Sequence, residues 1–301
     1  MLLMAAIPPY AWSCCRYGTR DLSGITQEPP FGAYSPSGFQ RAVMRLTRSV
    51  PETWLGKRIA FAARRLALAG LKSPLDVDVF GRKLRVHPED NVCEKRVLFT
   101  PQFFDPVELQ VLAAAIRDDF TFVDLGANVG VYSLFVAGLA GPKASILAVE
   151  PQPEIYRRLA FNVAANDLGT IRTLQCAVAD RDGTLDLFID RGNRGQSSIA
   201  MVTGEKVSVP CRSLESMLVE AGFNRVDALK IDIEGAEDTV LAPFFATAPS
   251  TLWPSLILLE TSSDRWKVDC VALCIEHGYQ ETHRTRLNVI LERIPTEDAS
   301  P

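Results

Sequence analysis

The run Phe122-Val123-Asp124-Leu125-Gly126-Ala127-Asn128-Val129-Gly130 narrows the possible folds more than any other stretch of the chain. An apolar strand runs straight into a glycine-containing turn and then into a helix. Gly126 can take backbone angles closed to other residues, and Gly130 permits close approach at the helix start. A strand–turn–helix unit of this kind lets a ligand lie against the carboxyl end of the first strand of an open α/β sheet. Asn128 stands where a dinucleotide loop has its middle glycine, and no Gly-Lys-Ser/Thr follows to make a phosphate loop. Asp124 puts a carboxylate in the crevice, which suits a cationic ligand end and repels a pyrophosphate.

The rest of the chain supports a sheet of this type. Short apolar runs at 122–125, 145–149, 171–175, 228–231 and 256–259 alternate with helical patterns near 130–139, 153–166, 213–221, 236–245 and 266–277. That alternation predicts a mostly parallel sheet covered by helices on both faces. Two late strands, near 279–283 and 287–292, leave no room for a helix between them and should pair antiparallel at the edge or end of the sheet. Strand signals at 185–189 and 206–209 suggest a small β insertion before the fourth core strand. Further upstream, 75–80 and 83–86 alternate around Gly81-Arg82 as a hairpin. Asp105-Pro106 then reads as a helix cap with proline at the first helical position. The expected organisation is an irregular leader over 1–38, a basic helical segment over 39–74, one domain over 75–293 and a tail over 294–301.

The leader holds five prolines and four glycines, and its apolar start lacks the basic residues of a signal peptide. The segment from 37 to 72 carries eight cations against Glu52 alone, a balance of +7 in a chain of net charge −4. Leu55, Ile59, Ala62, Leu66 and Ala69 recur at helical spacing, widened by Trp54, Phe61 and Leu68. Such a helix either packs on the main domain with its charges solvated or lies on an anionic membrane surface through residues 41–72. The acidic remainder argues against a nucleic-acid partner, and no apolar run is long enough to span a membrane. Seven cysteines without a CxxC pair point to reduced thiols and a cytoplasmic location, peripheral to the membrane if the basic helix engages it, with neither disulfide framework nor zinc site.

Glu150 ends the second strand 24 residues after Gly126, where an acid can accept both hydroxyls of a ribose. A cationic head at the glycine turn, a ribose at Glu150 and no phosphate describe S-adenosylmethionine. Farther along, Lys230-Ile231-Asp232-Ile233-Glu234-Gly235-Ala236-Glu237 puts Asp232 at the carboxyl end of the fourth strand and Glu234 in the turn beyond it. Both are candidates for contacting cofactor or acceptor. Glu237 reads as a helix-start acid, and Lys230 as balancing charge. Glu260 ends the fifth strand on the same crevice edge.

With these residues in view, the chain resembles the FkbM-type methyltransferases, which have the class I S-adenosylmethionine-dependent fold. The resemblance rests on Val123 to Ser133, on Glu150-Pro151-Gln152-Pro153 with Leu159 and Asn162, on Ala177-Val178-Ala179-Asp180 leading to Gly183, and on Lys230 to Glu237. It implies a class I Rossmann-like sheet, mostly parallel with an antiparallel final pair, preceded by the hairpin and the helical segment. It also implies that Asp124, Gly126, Asn128, Gly130, Glu150 and Ala177 hold the cofactor. The implied reaction is methyl transfer, commonly to an oxygen of a sugar, glycan or polyketide-like small molecule. Family members often carry a His soon after the Glu at position 260. Here Thr261-Ser262-Ser263 follows, so only the acids Asp232, Glu234 and Glu260 remain as base candidates, and no metal ligand set is expected. His87, His277 and His283 read as structural or exposed. The rivals are N-methylation, a protein acceptor, and a cofactor-binding scaffold without catalysis. A dehydrogenase is disfavoured by the absent GxGxxG.

Overall fold

A computed structural model describes residues 28–69, 74–189, 197–198, 205–261 and 264–295. Helices α1 (Gly38–Ser49) and α2 (Trp54–Leu68) come first, followed by the hairpin β1 (Leu75–Val79) and β2 (Arg82–Val86), then α3 (Val92–Phe99) and α4 (Pro106–Ala115). The alternating unit comprises β3 (Thr121–Leu125), α5 (Val131–Leu139), β4 (Ser145–Val149), α6 (Pro153–Ala165) and β5 (Ile171–Leu174). A small sheet interrupts it: β6 (Ala177–Val178), β7 (Gly183–Ile189), β8 (Ser197–Ser198) and β9 (Glu205–Arg212). The chain then completes α7 (Leu214–Glu220), β10 (Ala228–Ile231), α8 (Glu237–Thr247), β11 (Leu256–Glu260), α9 (Cys270–Glu276), β12 (Tyr279–Arg284) and β13 (Asn288–Arg293).

The main sheet has seven strands in the order β12-β13-β11-β10-β3-β4-β5. Neighbours from β11 to β5 are parallel, while β13 runs antiparallel to both β11 and β12. The chain leaves β3 toward β4 and β5, then returns to the other side of β3 as β10 and β11. The two directions diverge between β3 and β10, which opens a crevice at their carboxyl ends.

Side-chain alternation along the strands fills two cores. Phe122, Ile146, Ala148 and Leu258 pack with α4, α5, α6 and the hairpin. Val123, Leu125, Val149, Leu229 and Leu259 pack with α7, α8 and α9. Phe244 and Phe245 belong to this second core, and the His277 ring stacks on Phe245 with centroids 4.6 Å apart.

Several expectations need correction. The hairpin turn is Phe80-Gly81, one residue earlier than Gly81-Arg82, and both residues have positive φ (51° and 71°) as a mirror-image two-residue turn requires. Helix α9 starts at Cys270 and not near 266, because Asp269 caps it by accepting from the amides of Val271 and Ala272. Residues 28–34 are irregular yet anchored. Arg85 forms a double hydrogen bond with Asp76 (2.8 and 3.0 Å), donates to the carbonyls of Pro29 and Pro30, and Asp76 accepts from the amides of Gly32 and Tyr34. Residues 1–27, most of the leader, lie outside the described part.

Helix α2 packs on the domain by a side other than the apolar stripe that its spacing marks. The residues it buries are Gly56, Ala60 and Ala67. Trp54, Leu55, Ile59, Phe61 and Leu66 are exposed. Periodicity located the helix; the side turned inward is the small-residue one. A Cβ on Gly56 would lie 2.3 Å from the Pro51 carbonyl oxygen. No helix among the described residues is long and apolar enough to cross a membrane. Cys93, Cys176, Cys211, Cys270 and Cys274 are free thiols.

Candidate active site

The crevice beyond β3 and β10 opens into a cavity of about 320 Å³. Its floor is the glycine turn. Gly126 and Gly130 have φ of 74° and 89°, and Asn128 between them also sits in the left-handed region at 50°. A Cβ on Gly126 would lie 1.9 Å from the Asp232 carbonyl oxygen, so glycine is what allows the turns after β3 and β10 to touch. A Cβ on Gly130 would press on Leu159 at 2.7 Å. Asn128 holds its strained conformation through its side chain: Oδ1 accepts from the Val129 amide (2.9 Å) and from Asn91 Nδ2 (2.8 Å).

Glu150 projects from the end of β4 and is buried. Oε2 accepts from the Asn128 amide (3.0 Å) and Oε1 from the Gln152 amide (2.9 Å). Two backbone donors thus fix the carboxylate, and each oxygen retains acceptor capacity toward the cavity. Burial pushes its pKa up to about 7, against the pull of those two amides. Asp124 is 1% exposed. Its Oδ2 accepts from Ser133 Oγ (2.7 Å), whereas Oδ1 is buried without a hydrogen-bond partner. Burial raises its pKa, with Lys230 and Ser133 opposing. A cavity-lining carboxylate oxygen with no donor is the vacancy an ammonium group fills. Cys176, Ala177 and Val178 line the neighbouring wall with Leu187 from the small sheet, an apolar surface suited to a base ring. The residues present therefore fit S-adenosylmethionine.

The second half of the cavity is built on the acid run. Asp124 and Lys230 are register partners on adjacent strands. Lys230 Nζ bonds Asp232 Oδ2 at 2.9 Å and lies 5.0 Å from the centre of the Tyr132 ring. Burial alone would strip its proton, but Asp232 and Asp124 outweigh that, so Lys230 stays a cation. Burial would also raise Asp232, yet Lys230 and a hydrogen bond with Glu260 bring it below its ordinary value. Glu260 moves the opposite way: burial and the adjacent Asp232 charge hold it well above the usual carboxylate range. The two carboxyls are driven apart, Asp232 toward the ionised form and Glu260 toward the protonated one.

Glu234 also lines the cavity, in the left-handed region at φ 59°; its carbonyl accepts from Arg265 Nη1 (2.9 Å). Gly235 has φ 95° and lies directly under the Arg265 side chain. Glu237, fully buried, organises this turn. Its Oε1 accepts from the amides of Ile233 and Gly235, and Oε2 from Trp266 Nε1 (2.7 Å). The reading of Glu237 as a helix-start acid holds, with the added role of fastening the loop that carries Asp232 and Glu234.

The cavity thus gathers Asp124, Gly126, Asn128, Glu150, Ala177, Asp232, Glu234 and Glu260. Gly130 sits beneath the floor and does not line it. None of the three histidines reaches it. His87 is half-buried and its pKa is lowered to about 4, by burial first and then by Arg158. Among the described residues no group of three His, Cys, Asp or Glu could hold a metal ion. Sequence reasoning missed Asn91, Arg96, Asp105 and Tyr132, which form the opposite wall. Asp105 does not cap α4 as expected. Its backbone is left-handed and its carboxylate takes Arg96 Nη2 (2.8 Å) and the Tyr132 hydroxyl (3.1 Å) instead.

Residues 124–284 match the model of the methyltransferase FkbM domain. The chain is 33% identical over 151 residues to methyltransferase sdnD of Sordaria araneosa, covering 40% of this chain and 58% of that protein. It is 26% identical over 154 residues to 2-O-methyltransferase NoeI of Sinorhizobium fredii (strain NBRC 101917 / NGR234), covering 45% and 62%. It is 28% identical over 183 residues to 31-O-demethyl-FK506 methyltransferase FkbM of Streptomyces tacrolimicus, covering 50% and 69%. The chain spans less than two thirds of the first two of these relatives. The matched span begins at Asp124 in the glycine turn, runs past Glu260 and takes in the cofactor side and the acid side of the cavity alike. With just over half of its residues on that domain, the chain belongs to the FkbM methyltransferase family, whose methyl donor is S-adenosylmethionine.

Proposed function

We propose that this chain transfers a methyl group to a hydroxyl oxygen of a sugar, glycan or polyketide-like small molecule. The observation that carries the reading is Asp232, bonded to Lys230 at 2.9 Å, in the same cavity as Glu260, Asp124 and Glu150. Two of the relatives carry names that specify O-methylation, which agrees with a hydroxyl acceptor.

S-adenosylmethionine supplies an electrophilic methyl group on a sulfonium, already a good leaving group. Asp124 holds the ammonium end through its unpartnered Oδ1, and Glu150 takes the ribose hydroxyls with a carboxylate fixed by two amides. Bound there, the cofactor would offer its methyl group on the acid side of the cavity, and alignment of this kind accounts for roughly 7–11 kcal/mol of barrier lowering. A hydroxyl seated against Asp232 donates its proton to the free acceptor capacity of that carboxylate. As the oxygen–carbon bond forms, the hydroxyl proton becomes strongly acidic, so a carboxylate of lowered pKa suffices to remove it. Lys230 keeps Asp232 ionised before the transfer, and Glu260 stabilises it with a hydrogen bond. Glu234, at the mouth of the turn, contacts the acceptor.

Calorimetric titration with S-adenosylhomocysteine tests the cofactor half. Wild type binds in the micromolar range, and Asp124→Ala and Glu150→Ala each abolish binding while retaining the fold by circular dichroism. A screen of glycans and hydroxylated metabolites with labelled methyl donor tests the acceptor half. Labelling confined to amines would overturn the hydroxyl reading.

A further inference from the structure

We propose that the outer face of α2 docks onto an anionic lipid bilayer. A helix that merely packs on a domain turns its large apolar residues inward and its charges outward. Helix α2 turns most of its large apolar residues outward together with its charges. Its inward side is Gly56, Ala60 and Ala67, with Ala63 and Leu68 half-buried against the core. Its solvent side carries Trp54, Leu55, Ile59, Phe61 and Leu66, with Trp54 71% and Leu66 67% exposed. A patch of this kind marks an interaction surface.

The charge on the same face selects the partner. Arg58 and Arg65 share the outer side with the apolar residues, and the Arg58 guanidinium rests 4.7 Å from the centre of the Trp54 ring. Arg64 stacks likewise on Phe61. Exposed Arg41 and Arg45 extend the positive surface along α1. Among the described residues none of Arg41, Arg45, Arg58 and Arg65 has a carboxylate within ion-pair distance. Glu52, the lone acid of the segment, is engaged by Lys57 at 3.0 Å. Apolar and aromatic side chains interleaved with arginines, whose stems lie along the apolar surface while their heads stay at headgroup level, match the chemistry of a bilayer interface. The rest of the chain is acidic and is repelled by the same surface, so attraction is confined to this helix pair. The pair is firmly tied to the catalytic domain: Arg48 of α1 donates from Nε and Nη2 to the Leu98 carbonyl at the end of α3, and Gln102 Nε2 donates to the Thr47 carbonyl.

Vesicle flotation of the full chain tests the proposal, independently of any methyl transfer. Vesicles of phosphatidylcholine containing phosphatidylglycerol should carry the protein upward, and pure phosphatidylcholine vesicles should bind it at least about tenfold less. Adding salt should weaken the anionic binding. Trp54→Ser with Leu66→Ser, both exposed and so harmless to the fold, should abolish flotation. Arg58→Ser with Arg65→Ser should cost about fivefold in affinity per arginine. Circular dichroism melts control for folding. A folded wild type that stays with the lipid-free fraction overturns the proposal. So does a dimer by light scattering that the Trp54→Ser and Leu66→Ser substitutions dissolve, because a second copy is then the occupant.

Discussion

The buried carboxylates under the hairpin and those in the cavity are treated in opposite ways. Asp76, under the hairpin, meets Arg85 in a double hydrogen bond and accepts two backbone amides. Burial alone would raise its pKa; these partners outweigh burial and lower it. In the cavity, Asp124 keeps an oxygen without a donor, and Glu260 faces another acid, so burial wins and both are raised. Burying an ion costs several kcal/mol unless geometry returns it. The hairpin region returns it within the chain and so serves stability. The cavity leaves part of it outstanding, and a ligand's ammonium, hydroxyls and transferable proton are what make up the difference.

The contrast is broken most severely at its two poles. Asp232→Asn keeps the bond to Lys230 in shape but removes the charge and the proton acceptor. Turnover on the acceptor found by screening should fall by about 10²–10⁴-fold, while S-adenosylhomocysteine affinity stays within a few-fold in calorimetry. Unchanged turnover would remove Asp232 from the proton path. Arg85→Ala acts on the other pole. It strands Asp76, buried to 1% side-chain exposure, and should cost about 3–5 kcal/mol of stability. The melting temperature should drop by on the order of 10 °C in a domain of this size. Asp76 contributes stability above its unfolded pKa and loses it as pH falls through its lower folded value. The Arg85→Ala deficit should therefore shrink in acid, as melts across the acid range would reveal. Replacing both partners together, Arg85→Met with Asp76→Leu, should recover much of the loss.

What the sequence disclosed follows the same division between local and assembled features. The glycine turn, Glu150 and the Lys230–Glu237 run were legible because each is a contiguous string whose meaning depends on one strand end. The sheet was legible for a similar reason, since period-two and helical patterns alternate along it. Asn91, Arg96 and Asp105 were not, because they precede the sheet strands and reach the cavity only when α3 and the start of α4 pack over it; Tyr132, on α5, stood inside the run from Val123 to Ser133, but its spacing did not show that its ring meets Lys230. Leu187 arrives from the inserted sheet in the same way. Helix α2 shows another limit. Spacing reveals that a helix has an apolar face, but Gly56, Ala60 and Ala67 form an equally regular small-residue face, and the spacing does not say which one turns inward.

Gly126→Ala sharpens the link between the two halves of the cavity. Alanine at φ 74° costs about 1–3 kcal/mol in strain, and its Cβ would push on the Asp232 carbonyl. Stability should fall by at least that amount in denaturant titration. Cofactor affinity and turnover should fall together, since one substitution displaces both the floor and the base. Loss of one alone would mean that the turns after β3 and β10 move independently.

The smallest effect separates the two cofactor acids. Glu150 is raised to about 7 by burial. Its stability contribution is full below its unfolded pKa and lost as pH rises through 7, so the ligand-free protein should weaken slightly over that window. Binding should run the other way, because ribose hydroxyls donate to the ionised form. A group of this pKa makes S-adenosylhomocysteine bind about tenfold more tightly at pH 8 than at pH 6, with proton release on binding when the ligand is added near neutrality. Calorimetry in buffers of different ionisation enthalpy measures both. Asp124 is also raised and faces the same cavity, so the assignment rests on Glu150→Gln. That variant should bind more weakly and show a flattened profile. A profile that keeps its slope in Glu150→Gln would move the titration to Asp124, and with it the conclusion that the ribose-side acid is the one tuned near neutrality.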